Sequence, residues 1–160
     1  MATTRITALP GVPFIEMERT FDAPRALVYR AHTDPDLLRQ WLGPRQYEMT
    51  VEAWDVRDGG RWQYTHRDGD GNAYGFHGVF HGAQSPDGMT QTFEFDGAPG
   101  HVSLNTLVLE ERDGRTVART KSVFQSVADR DAMIQSGMAD GVNDGYDRLD
   151  ELIARLVPVA

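Results

Sequence analysis

Residues 131–156 read DAMIQSGMADGVNDGYDRLDELIARL, and the spacing within this stretch decides the architecture of the chain. Apolar side chains recur in it at intervals of three and four, as they do along one face of an α-helix. This pattern predicts one long amphipathic C-terminal helix with a break at Gly137. The apolar positions are Met133, Ile134, Met138, Val142, Tyr146, Leu149, Ile153 and Leu156.

The predicted helix carries three glycines, Gly137, Gly141 and Gly145, on one stripe. Each glycine in a helix interior costs about 1 kcal/mol relative to alanine, so the stripe needs a physical reason. Close approach of another backbone is one such reason, and space for a ligand is the other. The sequence leaves both open.

Upstream of this helix, between residues 47 and 124, the pattern changes to short strands separated by turns. The turns are rich in Asp and Gly and lie at 58–60, 68–71, 85–88, 96–100 and 113–114. The strands between them contain YEMTVEAWDV, RWQYTH, AYGFHGVF, MTQTFEF, HVSLNTLVLEE and RTVARTKSVF. Consecutive strands joined by such turns predict an antiparallel meander of six strands.

The N-terminal part of the chain predicts one further strand and two short helices. FIEMERTF at residues 14–21 alternates apolar and polar side chains, which is typical of a half-buried strand. Asp22-Ala23-Pro24 and Asp34-Pro35 each open a short helix. The complete order, β-α-α-β6-α, predicts an α+β helix-grip fold in which a curved antiparallel sheet wraps around the long C-terminal helix.

Length and composition describe one globular domain. A chain of 160 residues is long enough to bury a single core, and its 40% hydrophobic and 25% charged content is typical of a protein that folds in water. We expect residues 1–13 to form a flexible leader, 14–157 to form the domain and 158–160 to form a tail.

Charge and residue types exclude several classes of partner and cofactor. The net charge is -8 and Lys121 is the single lysine, so we expect no binding of a nucleic acid backbone. The chain has no cysteine, and we expect no metal site and no other cofactor. No apolar stretch approaches the length of a bilayer, so we expect no membrane insertion and a cytoplasmic location.

The predicted strands carry large aromatic side chains at alternating positions, among occasional polar groups. Apolar walls with few polar anchors are typical of small-molecule sites, although an ordinary core explains the same pattern. The interpretation as a site predicts a cavity between the sheet and the C-terminal helix. Its predicted ligand-binding residues are Trp41, Trp62, Tyr64, Phe76, His77, Phe93, Asn105, Met133, Met138 and Tyr146.

Two motifs resemble metal sites, and we interpret neither as one. His77 and His81 lie four residues apart on a predicted strand, which separates them by roughly 13 Å. Residues 68–72 resemble the start of a calcium loop, but the sixth position is Ala73 instead of glycine and the twelfth is Val79 instead of glutamate, so they predict a hairpin turn.

Acid–base chemistry is the remaining catalytic alternative. A histidine or carboxylate that faces an apolar pocket has a shifted pKa and can move protons on a bound substrate. The candidate catalytic residues are His66, His77, Glu94 and His101. Their mutual geometry cannot be read from the sequence, so we assign no catalytic residue.

Several short motifs in this order resemble those of a known family. They are Phe21-Asp22-Ala23-Pro24, Asp34-Pro35, Trp41-Leu42-Gly43-Pro44, the run DVRDGGRW at 55–62, GFHGVF at 75–80 and Ser136-Gly137-Met138. The chain resembles the bacterial AHSA-like family, relatives of the heat-shock ATPase activator homologue, over about residues 14 to 157. That family belongs to the SRPBCC superfamily, with the START lipid-binding domains, the birch-pollen allergen group and the polyketide cyclases.

The resemblance implies the same order of strands and helices and a deep hydrophobic cavity, but it does not imply one activity. Members of the superfamily bind lipids, hormones or polyketides, and some catalyse reactions, so function must be argued from the pocket. The eukaryotic chaperone activator has an additional N-terminal domain to which nothing in this sequence corresponds. We therefore expect no co-chaperone role.

Three functional hypotheses follow. The first is a protein that binds a small hydrophobic molecule, lipid- or polyketide-like, for sequestration, transport or sensing. The second is a cyclase or hydratase, which needs at least two of His66, His77, Glu94, His101 and Asn105 to converge on the cavity. The third is a protein-interaction or stress-related module that forms a homodimer.

Overall fold

The structure is a computed structural model that describes residues 3–157 of the chain. It has an α+β fold with eight strands and four helices in the described part. In chain order these are β1 (Arg5–Thr7), β2 (Phe14–Phe21), α1 (Arg25–Thr33), α2 (Pro35–Leu38), β3 (Glu48–Trp54), β4 (Arg61–Arg67), β5 (Ala73–Ser85), β6 (Gly88–Phe95), β7 (Val102–Arg112), β8 (Arg115–Val123), α3 (Val127–Gln135) and α4 (Met138–Leu156).

The strands form one curved, unclosed antiparallel sheet in the order β1-β2-β8-β7-β6-β5-β4-β3. Strands β3 to β8 pair with their neighbours in sequence, which confirms the predicted meander of six strands. Strand β2 then pairs with β8, with Phe21 opposite Thr116. This arrangement and the C-terminal helix confirm the predicted helix-grip fold.

The segment before β2 differs from the flexible leader predicted for residues 1–13. Arg5–Thr7 form β1, which pairs with β2 so that Arg5 lies opposite Glu18, and the two side chains form a 3.0 Å ion pair. Farther along, the guanidinium of Arg130 on α3 donates a 2.5 Å hydrogen bond to the carbonyl oxygen of Leu9. Residues 1–2 of the predicted leader and the predicted tail, 158–160, lie outside the described residues.

The C-terminal helical stretch is divided at Gly137, as the sequence predicts. Gly137 has a φ of 85°, in the left-handed region that favours glycine, and it separates α3 from α4. The side chain of Ser126 caps α3 by accepting a hydrogen bond of 3.0 Å from the backbone N–H of Asp129. Within residues 3–157 no helix is long and apolar enough to cross a membrane.

The core lies between the concave face of the sheet and one face of α4. Tyr146 and Leu149 of α4 are buried there, and the ring of Tyr146 packs edge-on against Phe21 with centroids 5.3 Å apart. Trp41, in the loop after α2, stacks on Tyr146 at 5.9 Å. Its indole N–H donates a 2.9 Å hydrogen bond to the carbonyl oxygen of Ala31, so the buried ring leaves no unpaired donor.

A buried ion pair ties β2 to α4. The side chain of Arg19 is 1% exposed, and its Nη2 donates to Asp147 at 2.9 Å and to Asp150 at 2.5 Å. The guanidinium also lies 5.7 Å from the ring centroids of Phe21 and Tyr146. The positive charge is therefore enclosed by two carboxylates and two rings.

The glycine stripe of α4 allows close approach of another backbone. A Cβ atom on Gly145 would lie 3.1 Å from the carbonyl oxygen of Trp41 and 3.3 Å from the backbone nitrogen of Gly43. A Cβ on Gly141 would touch the ring of Pro44 at 3.4 Å. Of the two reasons left open by the sequence, the structure gives close approach for Gly145.

Candidate functional site

Four aromatic side chains form a continuous cluster on the concave face of the sheet. They are Trp62 and Tyr64 on β4, Phe76 on β5 and Phe93 on β6. Neighbouring ring centroids lie 5.3 Å apart for Trp62–Tyr64, 5.3 Å for Tyr64–Phe76 and 5.4 Å for Phe76–Phe93. Strand alternation explains the grouping, because Tyr64 and Phe76 lie directly opposite each other in the β4–β5 register.

Gly78 makes room for this aromatic cluster. It lies opposite Trp62 in the register, and the indole N–H of Trp62 crosses over it to donate a 3.1 Å hydrogen bond to the carbonyl oxygen of Thr92. A Cβ atom on Gly78 would lie 2.6 Å from the indole nitrogen and 2.0 Å from that carbonyl oxygen. Only a residue without a side chain fits between these groups.

Burial falls along the aromatic cluster from one end to the other. Trp62 is 1% exposed and Tyr64 is 7% exposed, whereas Phe76 and Phe93 are half-buried, although all four belong to the same face. The concave face is therefore closed over the tryptophan and partly open over the two phenylalanines. The open part offers an apolar surface to a ligand.

The other predicted wall residues occupy different environments. Trp41 and Tyr146 belong to the closed core. Met133 on α3 and Met138 at the start of α4 are half-buried. Asn105 on β7 is half-buried on the concave side, and its Oδ1 accepts a 3.0 Å hydrogen bond from the hydroxyl of Ser103.

His77 and Glu94 lie on the opposite, convex face of the sheet. Because side chains alternate along a strand, His77 points away from the face that carries Phe76, and the register places it opposite Glu94. Its Nδ1 lies 2.6 Å from Asp96 and its Nε2 lies 3.5 Å from Glu94. The structure therefore separates this predicted ligand-binding and catalytic residue from the aromatic cluster.

His101 is also remote from the aromatic cluster. It lies in the loop before β7, exposed, with its Nδ1 2.9 Å from a carboxylate oxygen of Asp129 on α3. This contact connects the start of β7 to α3. This structural contact explains the position of His101, and the residue does not line a pocket at the aromatic cluster.

His66 is the acid–base candidate that faces the interior. Its ring is buried, with centroids 5.1 Å from Tyr64, 5.6 Å from Phe76 and 5.7 Å from Tyr47. Burial, and to a lesser degree the charge of Arg148, lower the pKa of His66 to about 4. The imidazole is therefore neutral at pH 7, and its Nε2 has no hydrogen-bond partner among the described residues.

The acid–base candidates do not converge on one point of the concave face. His66 on β4 and Asn105 on β7 share that face, but three strand spacings separate them, about 14 Å. His77, Glu94 and His101 lie elsewhere. No pair of these five residues can act on one substrate atom at the concave face.

The segment that resembles a calcium loop is a hairpin turn, as the sequence predicts. A carboxylate oxygen of Asp68 accepts hydrogen bonds from the backbone N–H groups of Asp70, at 2.9 Å, and Asn72, at 3.0 Å. The carboxylate is thus occupied by its own turn. In the described part of the chain, no group of three or more His, Asp or Glu side chains is arranged to hold a metal ion.

A pocket of about 420 Å³ lies at one end of the concave face, between the turn after α2, the start of β3 and α4. Its lining residues are Asp36, Arg39, Gln40, Tyr47, Glu48, Met49 and Arg148. The patterns in the sequence do not predict this pocket. One signal was present, because Arg148 continues the Gly141–Gly145 stripe by three further residues.

Gly43 connects this pocket to the core. Its carbonyl oxygen accepts a 3.0 Å hydrogen bond from the guanidinium of Arg148. Its backbone has a φ of 89°, and a Cβ there would lie 2.4 Å from Cε1 of His66. A second pocket, of about 300 Å³, lies against β1, β2, β7 and β8 and includes Glu18 and Arg119.

Comparison with known proteins gives one family and several solved structures. A family model described as Activator of Hsp90 ATPase homolog 1-like protein matches residues 22–154. A crystal structure from Rhodobacter sphaeroides is 27% identical, with a TM-score of 0.88 and coverage of 96% of this chain and 99% of that chain. The comparison with curated proteins finds no match.

Two further solved structures share the fold at lower identity. A protein from Arthrobacter aurescens is 22% identical, with a TM-score of 0.86, and 94% of this chain and 91% of that chain are covered. A protein from Mycobacterium smegmatis is 22% identical, with a TM-score of 0.82, and 98% and 99% are covered. The fold is therefore shared over more than nine tenths of each of these chains.

Proposed function

Because the chain belongs to the family of Activator of Hsp90 ATPase homolog 1-like proteins, we propose that it binds a small hydrophobic molecule between its sheet and its C-terminal helices. The observation that carries this proposal is the half-buried state of Phe76 and Phe93, which continue the aromatic cluster beyond the buried Trp62 and Tyr64. A lipid- or polyketide-like ligand would cover both rings. Such a protein would sequester, carry or sense its ligand.

The energetics favour a ligand that is apolar over most of its surface. Burial of apolar area contributes roughly 25 cal/mol per Å², so covering the open part of two phenylalanines contributes on the order of 1–2 kcal/mol. Met133 and Met138 would contact the ligand from the helical side in this proposal. Their unbranched thioether side chains adapt to ligands of different shape.

We propose binding and not catalysis, because catalysis needs converging polar groups and the acid–base candidates lie on different faces of the sheet. The neutral, buried His66 lies beside the open end of the aromatic cluster, with its ring centroid 5.6 Å from that of Phe76. It can donate or accept one hydrogen bond and so orient a ligand.

A fluorescence titration with N-phenyl-1-naphthylamine, a neutral apolar probe, tests the proposal. We expect saturable binding of the probe to the wild-type protein. Phe93→Gln should bind the probe at least about fivefold more weakly than the wild type, because the substitution removes apolar contact area. The matched control is Phe14→Gln, which changes a half-buried phenylalanine on the convex face. No saturable binding, or equal affinities of the two variants, would refute the proposal.

Native mass spectrometry would identify the ligand itself. Protein purified from its own source should carry a compound that adds a discrete mass, and Phe93→Gln should retain less of it than Phe14→Gln. A protein that is free of any adduct from its own source, and that binds no apolar probe, would contradict a carrier function.

A further inference from the structure

The pocket between the turn after α2, the start of β3 and α4 contains an arginine with unused hydrogen-bonding capacity. Arg148 is half-buried and donates one hydrogen bond, of 3.0 Å, to the carbonyl oxygen of Gly43. The carboxylates of its own helix, Asp144 and Glu151, are bound by Arg45, at 3.2 and 2.6 Å. Within residues 3–157 Arg148 forms no ion pair.

The other charged groups of this pocket do not compensate Arg148. Arg39 donates to Asp36 at 2.8 Å, and these two residues neutralise each other. Glu48 lies opposite Arg67 in the β3–β4 register, and both side chains are exposed. No described carboxylate, Glu48 included, forms an ion pair with Arg148, so its guanidinium is available to an added anion.

The surroundings of Arg148 disfavour the positive charge of its guanidinium. Burial and the neighbouring charge of Arg45 lower the pKa of Arg148, although Asp144 and Glu151 act in the opposite direction. A guanidinium nevertheless stays protonated at any physiological pH. An anion in the pocket would replace the hydration that this half-buried group has lost.

We propose that this pocket binds the carboxylate or phosphate group of a small anionic ligand and that Arg148 is its principal contact. A guanidinium presents five N–H donors in a planar fork, which fits two oxygens of either group. The pocket is open to solvent, and its volume of about 420 Å³ has room for either group. This proposal does not depend on the hydrophobic-ligand proposal.

The anionic group can belong to a free metabolite or to the head of an amphiphile. Tyr47 lines the pocket and stacks on His66 at 5.7 Å, and His66 contacts Phe76 at 5.6 Å. A line of rings thus leads from the pocket to the aromatic cluster. The chemistry at Arg148 is the same for both sources, and the test must distinguish them.

Titration calorimetry at constant ionic strength tests the anion site with three probes: acetate, inorganic phosphate and decanoate. We expect at least one probe to bind, and Arg148→Met to weaken that binding tenfold or more, the usual effect of losing a charge-assisted hydrogen bond pair. The matched control is Arg112→Gln, which removes the same charge from a site 75% exposed in its side chain. The control should bind like the wild type.

Arg148→Lys is a second, more conservative variant. Lysine keeps the positive charge and a donor for the carbonyl oxygen of Gly43, so the variant should fold, but it lacks the planar fork of the guanidinium. If Arg148→Met fails to fold, a threefold or larger loss in Arg148→Lys carries the proposal. Unchanged binding in the folded variants, an equal loss in Arg112→Gln, or no binding of any probe would overturn it.

The probes also identify the source of the anion. If decanoate binds at least tenfold more tightly than acetate and Phe93→Gln reduces this difference, the anionic group belongs to the head of an amphiphile. Equal affinities for acetate and decanoate would assign a free small anion. If Phe93→Gln abolishes binding of the neutral probe but leaves acetate binding intact, the two proposed sites are separate.

Discussion

His66 should make the stability of the folded protein depend on pH. Its pKa is about 4 in the folded state because its ring is buried, whereas an exposed histidine titrates near 6.5. Between these values the unfolded chain binds a proton that the folded chain does not. The free energy of unfolding should therefore fall as the pH decreases from about 6.5 to about 4.

An NMR titration of the His66 ring signals checks this expectation directly, with a midpoint near pH 4. In denaturant unfolding at pH 7 and pH 5, His66→Phe should lose less stability between the two pH values than the wild type does. The half-buried His32, whose pKa is lowered by desolvation, adds a contribution in the same direction that both proteins share. A ring midpoint at or above 6.5 would contradict the prediction.

Gly78→Ala should destabilise the protein through the aromatic cluster. The added methyl group would collide with the indole of Trp62 and with the backbone of Thr92, which cannot move independently of the sheet. We expect a loss of about 2 kcal/mol in the free energy of unfolding by urea. Gly69→Ala is the control, since nothing lies within 4 Å of a Cβ there, and it should change stability by less than about 0.5 kcal/mol.

Individual site residues were predictable from the sequence to the extent that strand alternation determines them. The alternation grouped Trp62 with Tyr64 correctly on one face. It also places His77 on the face opposite Phe76, which the sequence interpretation of His77 as a wall residue overlooked. The half-buried state of Phe76 and Phe93 depends on how far the helices reach across the sheet, and no local pattern encodes that distance.

At the scale of secondary-structure elements, the contact between β2 and α4 rests on an asymmetric ion pair. The arginine side chain is 1% exposed, whereas the carboxylates of Asp147 and Asp150 are 37% and 27% exposed. Removing Arg19 leaves two carboxylates that water can reach, but removing both carboxylates leaves a buried guanidinium that cannot lose its proton.

We therefore expect the double variant Asp147→Ala/Asp150→Ala to lose about 3 kcal/mol or more, and Arg19→Met to lose less, about 1–2 kcal/mol. Urea unfolding of the two proteins at pH 7 compares these free energies. A larger loss in Arg19→Met would mean that packing of its side chain, and not charge, holds β2 against α4.

The elements themselves follow well from the sequence, with one informative exception. Turn residues and alternation predicted β3 to β8, and the helical spacing predicted α4 together with its break at Gly137. Strand β1 was not predicted because three residues are too few to show an alternating pattern. Its formation depends on pairing with β2, whose partner residues are 9 to 13 positions away in the sequence.

At the scale of the whole molecule, one sheet and one core predict cooperative unfolding. All three tryptophans contact this core, so their fluorescence and the far-UV circular dichroism should change at the same urea concentration. A fluorescence transition at lower urea than the loss of secondary structure would show that the helices separate from the sheet first. The predicted cytoplasmic location and homodimer stay predictions.

The pocket around Arg148 shows why part of the site could not be read from the sequence. Its walls come from residues 36–49 and from position 148, which are about a hundred positions apart in the chain. Only the packing of α4 against the loop at Gly43 brings them together. The periodicity of each segment describes its own burial and carries no information about the space between segments.

The position of Gly43 limits which substitutions homologues of this protein can accept. One position touches His66 of the sheet, the backbone at Gly145 of the helix and the guanidinium of Arg148. A side chain at that position would collide with the ring of His66, and a backbone shift that relieved the collision would also move the groups in contact with Gly145 and Arg148. Homologues that lack this glycine should therefore carry compensating changes at the other three sites together, and their inheritance as a set can be read from an alignment.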